Sequence, residues 1–198
     1  GISISKSSKK IDQDKNKIPQ LLFLSNLIES KGVFILLNAL RLLKDQGILF
    51  YCNFIGAEGD ISSEQFNTKL NDLKLHKYVS YLGKKYNDEK YEIFQSSDIF
   101  VFPTFYHNET LPLVVLEAMM WGIPVISTSE GAISDMITNN ETGFIVEKEN
   151  AEELANKIKF LIENPKICKQ MGERGNLIFH KYYTVEVFEK TLLNILNQ

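Results

Sequence analysis

Residues His107–Thr128 read HNETLPLVVLEAMMWGIPVIST, and how they fold decides how the rest of the chain is arranged. An apolar run, Ile99–Phe102, precedes them and is stopped by Pro103. They end in a second run, Pro124–Ser127, with a helix-length apolar segment between the two. That pattern is a strand, helix, strand unit with its loop exposed. The segment from Leu111 to Trp121 is apolar on every face and so predicts a buried helix, with Glu117 as its one charge. A buried carboxylate costs on the order of several kcal/mol unless something pairs with it, so Glu117 must face a cavity or a partner. The plainer reading is a structural Glu bonded inside the fold.

Glu109 stands eight residues earlier, just outside the helix N-terminus, where Thr110 is placed to cap and Pro112 fits the first turn. At about 1.5 Å rise per residue, Leu111 to Glu117 covers roughly 9 Å of axis, so the two acids are badly placed to share a proton or flank one bond. They suit the two ends of a long ligand. Between them lie free backbone N–H groups and the positive end of a helix dipole, which match a phosphate or diphosphate. A nucleotide-sugar has that layout.

Glu109, seven intervening residues, Glu117, and then Ala118, Met119, Gly122, Pro124 and Val125 form an E-x7-E segment with an E-A-M-x-x-G-x-P-V tail. Here the chain resembles the family-4 group of retaining, GT-B-type glycosyltransferases. The resemblance implies that Glu109 contacts the transferred sugar and that Thr110, Leu111, Pro112 and Leu113 receive the diphosphate at the loop and helix start. It also implies that Glu117 holds the ribose hydroxyls. Thr110 departs from the family, which usually has Gly after the first Glu.

Upstream, PQLLFLSN (Pro19–Asn26) is a continuous apolar run, as in a parallel strand buried on both faces. Val33, Leu36, Leu37, Leu40 and Leu43 then keep helical spacing until Gly47, a C-cap. The loop Ser25–Gly32 therefore sits at the C-terminal end of the first strand, where open parallel sheets bind ligands. Ser25-Asn26-Leu27 and Lys31-Gly32 align with the family's G-R-L-x-x-x-K-G, which implies that Lys31 touches the diphosphate; a solvated lysine at a helix start is the alternative. Asn26 stands where the family has Arg and brings a hydrogen bond without a charge. Lys31 is then the one identified side-chain cation for the diphosphate.

Further strands are expected at Ile48–Gly56, Val79–Gly83 and Thr142–Val146. Helices are expected at Phe66–Leu75, around Tyr91 and Phe94, and at Ala151–Ile162, Pro165–Phe179 and Val185–Leu196, with Asn150 and Thr184 as N-caps. In the family, backbone near Lys84 and Lys85 passes the nucleotide base, which makes Lys85 a donor-site candidate; the lysines themselves read as a solvated turn. Asp135 occupies the family's usual Glu position in a short helix after Glu130-Gly131-Ala132. The last helix carries an apolar face of Val185, Phe188, Leu192 and Ile195, in a region that crosses back to the N-terminal domain in the family.

The 198 residues, net charge −3, suffice for one well-cored domain and give no electrostatic case for nucleic acid. No apolar run reaches spanning length and no leader pattern opens the chain. Cys52 and Cys168 form no motif with a histidine, so no metal site is expected and a reducing, cytoplasmic setting is. Residues 1–18 are polar and low in complexity, and are read as a linker from a missing N-terminal domain; residues 19–198 are read as the donor-binding domain. The alternation of strands and helices gives an α/β, Rossmann-like doubly wound parallel sheet of about six strands. The resemblance implies strand order 3-2-1-4-5-6 and the C-terminal half of a GT-B fold, with a helical C-terminus.

No G-x-G-x-x-G follows a strand, which argues against a nicotinamide or flavin enzyme. The resemblance implies a retaining hexosyltransferase half, inactive alone, with Glu109 and Lys31 as catalytic residues, a nucleoside-diphosphate sugar as donor and no obligatory metal or cofactor. It implies an acceptor glycan or glycolipid held by the missing domain, in cell-surface polysaccharide or glycoconjugate synthesis. Peripheral association of the full-length protein with the inner membrane face fits that setting. A GT-B-type nucleotide-sugar epimerase and a non-catalytic nucleotide-sugar binding module remain the other readings.

Overall fold

Short apolar runs bounded by turn residues become one six-stranded sheet in the computed structural model, which describes residues 17–196. Residues 1–16 of the expected linker lie outside the described residues, as do 197–198. The strands are β1 (Gln20–Leu24), β2 (Tyr51–Ile55), β3 (Val79–Tyr81), β4 (Ile99–Phe102), β5 (Val125–Ser127) and β6 (Gly143–Ile145). Their order is β3-β2-β1-β4-β5-β6 and every pairing is parallel, the expected topology. All residues of β4 and β5 are buried. Because successive side chains point to opposite faces, that burial means both faces of the sheet centre are covered.

The helices are α1 (Val33–Asp45), α2 (Ser63–Leu73), α3 (Asn87–Ser96), α4 (Leu113–Met120), α5 (Ile133–Met136), α6 (Ala151–Glu163), α7 (Pro165–Tyr182) and α8 (Val185–Leu196). Helix α1 packs on α6, and α4 on α7. Six residues of α1, including Leu36, Leu37, Leu40 and Leu43, are buried, each contributing roughly 1.5–3 kcal/mol for a large aliphatic side chain. The helix closes in a Schellman motif: Gly47 N–H reaches the Lys44 carbonyl and Ile48 N–H the Leu43 carbonyl. Gly47 and Ile48 are thereby spent on the turn, so β2 begins at Tyr51 and not at Ile48 as expected. Helix α2 starts earlier than expected because Ser62 and Gln65 form a capping box ahead of it. Asn150 caps α6 by accepting from Glu153 N–H, and Thr184 Oγ1 accepts from Val187 N–H at the start of α8.

Two expectations for α4 do not hold. Pro112 is its N-cap, so Thr110 lies outside the helix and does not cap it. Burial is also incomplete: Val115, Leu116, Ala118 and Met119 are buried, while Leu111 and Leu113 are 45% and 56% exposed. The latter two border an apolar groove of about 200 Å³ shared with Tyr182 and Phe188. Helix α8 buries none of its residues, and Phe188, Leu192 and Ile195 of its apolar face are exposed. Among the described residues, no helix is long and apolar enough to cross a membrane.

The link from β1 to α1 depends on Gly32. Its φ is +85°, and an added Cβ would lie 2.2 Å from the Pro103 carbonyl oxygen. The chain after β1 can press against the chain after β4 only without a side chain there. Gly32→Ala combines left-handed strain with backbone overlap and should cost roughly 2–4 kcal/mol. Thermal unfolding should show Tm falling by about 5–15 °C; an unchanged Tm would mean that the two loops are not held together at this point.

Candidate functional site

In the observed strand order, β1 and β4 are neighbours from which the chain departs to opposite edges of the sheet, and open parallel sheets bind ligands beyond the carboxyl ends of such a pair. The segments leaving these two strands are stitched together. Phe105 N–H donates to the Ser30 carbonyl at 2.7 Å, and Thr104 Oγ1 donates to the same oxygen at 3.3 Å. Ser30 lies in a single 3-10 turn, Glu29–Lys31, that ends at Gly32. Its neighbour Lys31 therefore reaches into the β4 loop. The Lys31 ammonium sits 2.6 Å from Glu109 Oε2, and the two side chains are only 14% and 10% exposed. The Tyr106 ring lies under the same ammonium, 4.2 Å from its centroid.

The expected catalytic pair is thus brought into direct contact across 78 residues of sequence. The contact also changes the reading of Lys31. It is not a solvated lysine, and it is not a free cation either, because Glu109 neutralises it.

Glu109 is fixed from the other side by the loop after β5. Gly131 has φ +52° and presses on that segment so closely that an added Cβ would be 2.3 Å from the Glu109 carbonyl oxygen. Ala132 N–H donates to the Thr110 carbonyl at 2.8 Å. Thr110 thus serves through its backbone, and its side chain is on an exposed residue. Past it, Pro112 brings no capping oxygen, and the first bond of the turn runs from Val115 N–H to the Pro112 carbonyl. The N–H groups of Leu113 and Val114 precede that bond and form the open, positive end of α4. The far end of α4 is held by α7, where Asn176 Nδ2 donates to the Met120 carbonyl at 2.6 Å.

Glu117 meets a different lysine. Lys90 of α3 lies 2.6 Å from Glu117 Oε1, with the two side chains 22% and 17% exposed. This answers the demand of a shielded carboxylate for a partner, and the two glutamates share neither proton nor cation. Lys90 was not a candidate from sequence. The signal available was Glu117's need for a cation, but α3 offers its lysine only through how it docks, 27 residues away in sequence. A third pair joins Lys148 to Glu130 at 2.6 Å.

Asn26 is exposed, and its Oδ1 accepts from Ala57 N–H at 3.2 Å, tying the loop after β1 to the loop after β2. Lys85 pairs with Glu89 at 2.7 Å on α3 and joins neither Glu109 nor Glu117. Asp135 is exposed on α5. Both cysteines are buried and unpaired; burial, with the Asp98 charge, pushes the Cys168 thiol up to about 12, and burial pushes Cys52 up as well. No group of three metal-ligating side chains occurs among the described residues.

The sequence matches the family described as "Glycosyl transferases group 1" over residues 4–177. It is 30% identical over 159 residues to the amylovoran biosynthesis glycosyltransferase AmsK of Erwinia amylovora, an alignment covering 78% of this chain and 39% of that protein. It is 26% identical over 180 residues to the capsular polysaccharide biosynthesis glycosyltransferase CapM of Staphylococcus aureus, covering 88% and 45%. The chain thus spans less than half the length of these two relatives. Among solved structures, HepE of Anabaena in complex with UDP superposes with a TM-score of 0.82 at 21% identity, over 91% of this chain and 49% of that one. The C-terminal domain of the group 1 glycosyl transferase LpcC from Francisella tularensis superposes with a TM-score of 0.73 at 24% identity, over 86% and 90%. These two likenesses establish a shared fold, the C-terminal half of the GT-B architecture. With the family match extending over most of its length, the chain belongs to the group 1 glycosyl transferases.

Proposed function

We propose that this chain is the donor-binding half of a retaining glycosyltransferase that moves a hexose from a nucleoside-diphosphate sugar to an acceptor hydroxyl. One observation carries the reading: Lys31 and Glu109 meet across the β1–β4 crevice beside the open N-terminus of α4. In this reading the diphosphate lies between Lys31 and the N–H groups of Leu113 and Val114, with Thr110–Pro112 as the loop that cradles it. Glu109 meets the transferred sugar, and Glu117 meets the ribose. Asn26 and Lys85 flank the donor at the loops after β1 and β3.

Catalysis then rests on holding the donor for attack and on stabilising the charge that builds on the departing diphosphate. Lys31 and the α4 dipole supply positive charge for that without an obligatory metal. Support comes from the solved neighbour HepE, which binds UDP, and from relatives named for capsule and exopolysaccharide synthesis. The acceptor, a glycan or glycolipid, would be held outside this chain, with the full-length protein working at the inner face of the membrane.

Thermal unfolding in the presence of nucleoside diphosphates tests the reading. One of UDP, GDP, ADP or CDP should raise Tm more than its monophosphate does, because ligand that binds only the folded state adds stability. The chain alone should transfer no sugar; efficient transfer by it, or indifference to all four diphosphates, would contradict the assignment. Glu117→Gln keeps the shape but loses charge-assisted hydrogen bonds to ribose. Affinity for the nucleoside diphosphate should therefore fall by roughly 1–3 kcal/mol while inorganic pyrophosphate binds as before. Equal losses for both ligands in calorimetric titration would place Glu117 at the phosphates.

A further inference from the structure

We propose that the donor enters by ion-pair exchange: its diphosphate takes the Lys31 ammonium from Glu109, and the released carboxylate then accepts hydroxyls of the sugar. This rests on the donor-site reading above. No covalent bond changes and no proton moves in the exchange.

The geometry leaves few alternatives for these two side chains. The Lys31 ammonium and Glu109 Oε2 are 2.6 Å apart, each side chain at least 86% shielded from solvent, so neither charge can be left without a partner at little cost. Lys31 cannot withdraw with its backbone, because the turn that carries it is bonded to the β4 loop through Ser30 and pinned at Gly32 against Pro103. Glu109 cannot withdraw with its backbone either, because Gly131 and Ala132 hold the Glu109–Thr110 segment. Only the side chains can change partners.

A diphosphate carries more charge than a carboxylate and also meets the open end of α4, so it outcompetes Glu109 for the ammonium. Glu109 is then a shielded carboxylate in need of donors, and sugar hydroxyls are donors. Two consequences follow from this order. A bare nucleoside diphosphate binds with a handicap, because it strands Glu109. A nucleoside-diphosphate sugar does not, so the pair favours the loaded donor over the spent one.

Calorimetric titration of the 198-residue chain and four variants tests this, using whichever of UDP, GDP, ADP or CDP stabilises the parent most. Glu109→Gln frees Lys31 and should tighten the nucleoside diphosphate by roughly tenfold. Lys31→Met should weaken it by roughly tenfold or more, and Glu109→Gln added to Lys31→Met should bring no gain, the non-additivity expected of two groups in one contact. Glu109→Asp, which draws the carboxylate back by one methylene, should give a smaller gain and serves if the Gln variant folds poorly. A Glu109→Gln or Glu109→Asp chain that binds the diphosphate no better than the parent overturns the exchange. So does a full gain retained without Lys31, which would mark simple repulsion between Glu109 and the phosphates. If the parent binds none of the four diphosphates, the functional reading fails first and the exchange falls with it.

Discussion

A shielded ammonium and a shielded carboxylate 2.6 Å apart, Lys31 and Glu109, are the constraint around which this domain is arranged. Each charge, largely shielded from water, is costly without a partner, and the two are 78 residues apart in sequence. They meet because the parallel order places β1 beside β4, and because Gly32 lets the two outgoing segments touch backbone to backbone. Gly131 then brings a third segment, from β5, against the carbonyl of Glu109 itself. The hydrophobic sheet beneath supplies the stability that allows such an assembly at its rim.

The second pair, Lys90 with Glu117, repeats the arrangement on α4 and gives the site a spatial order. One carboxylate lies before the helix N-terminus and one on the helix beyond it, each with its own cation. A chain of net charge −3 does not attract polyanions through its overall field. In the proposed function, the positive charge offered to a diphosphate is local, from Lys31 and from the N–H groups that open α4. Holding Lys31 and Lys90 in internal pairs keeps these shielded charges compatible with burial.

Much of the fold was legible in the sequence. Ile99–Phe102 becomes β4 residue for residue, the alternation of apolar runs and helical spacing points to the parallel six-stranded sheet, and the strand order is the one the family resemblance implied. The misreadings were local and have local causes. Gly47 and Ile48 closed α1 and so shortened β2, while the Ser62–Gln65 capping box moved the start of α2 forward. Pro112 holds the N-cap position expected of Thr110, and Leu111 and Leu113 border an exposed groove that apolar composition cannot distinguish from core. Among the candidate site residues, Glu109, Glu117 and Lys31 stand out by spacing and family resemblance. Lys90 and Lys148 do not, because which lysine satisfies a carboxylate depends on how distant elements dock and not on any local pattern.

A crystal structure of this chain with its preferred nucleoside diphosphate would address the central claim most directly. The account predicts phosphate oxygens bonded to Lys31 Nζ and to the N–H groups of Leu113 and Val114, with the Lys31–Glu109 contact opened beyond hydrogen-bond reach. Phosphates seated elsewhere, with Lys31 still 2.6 Å from Glu109, would contradict it.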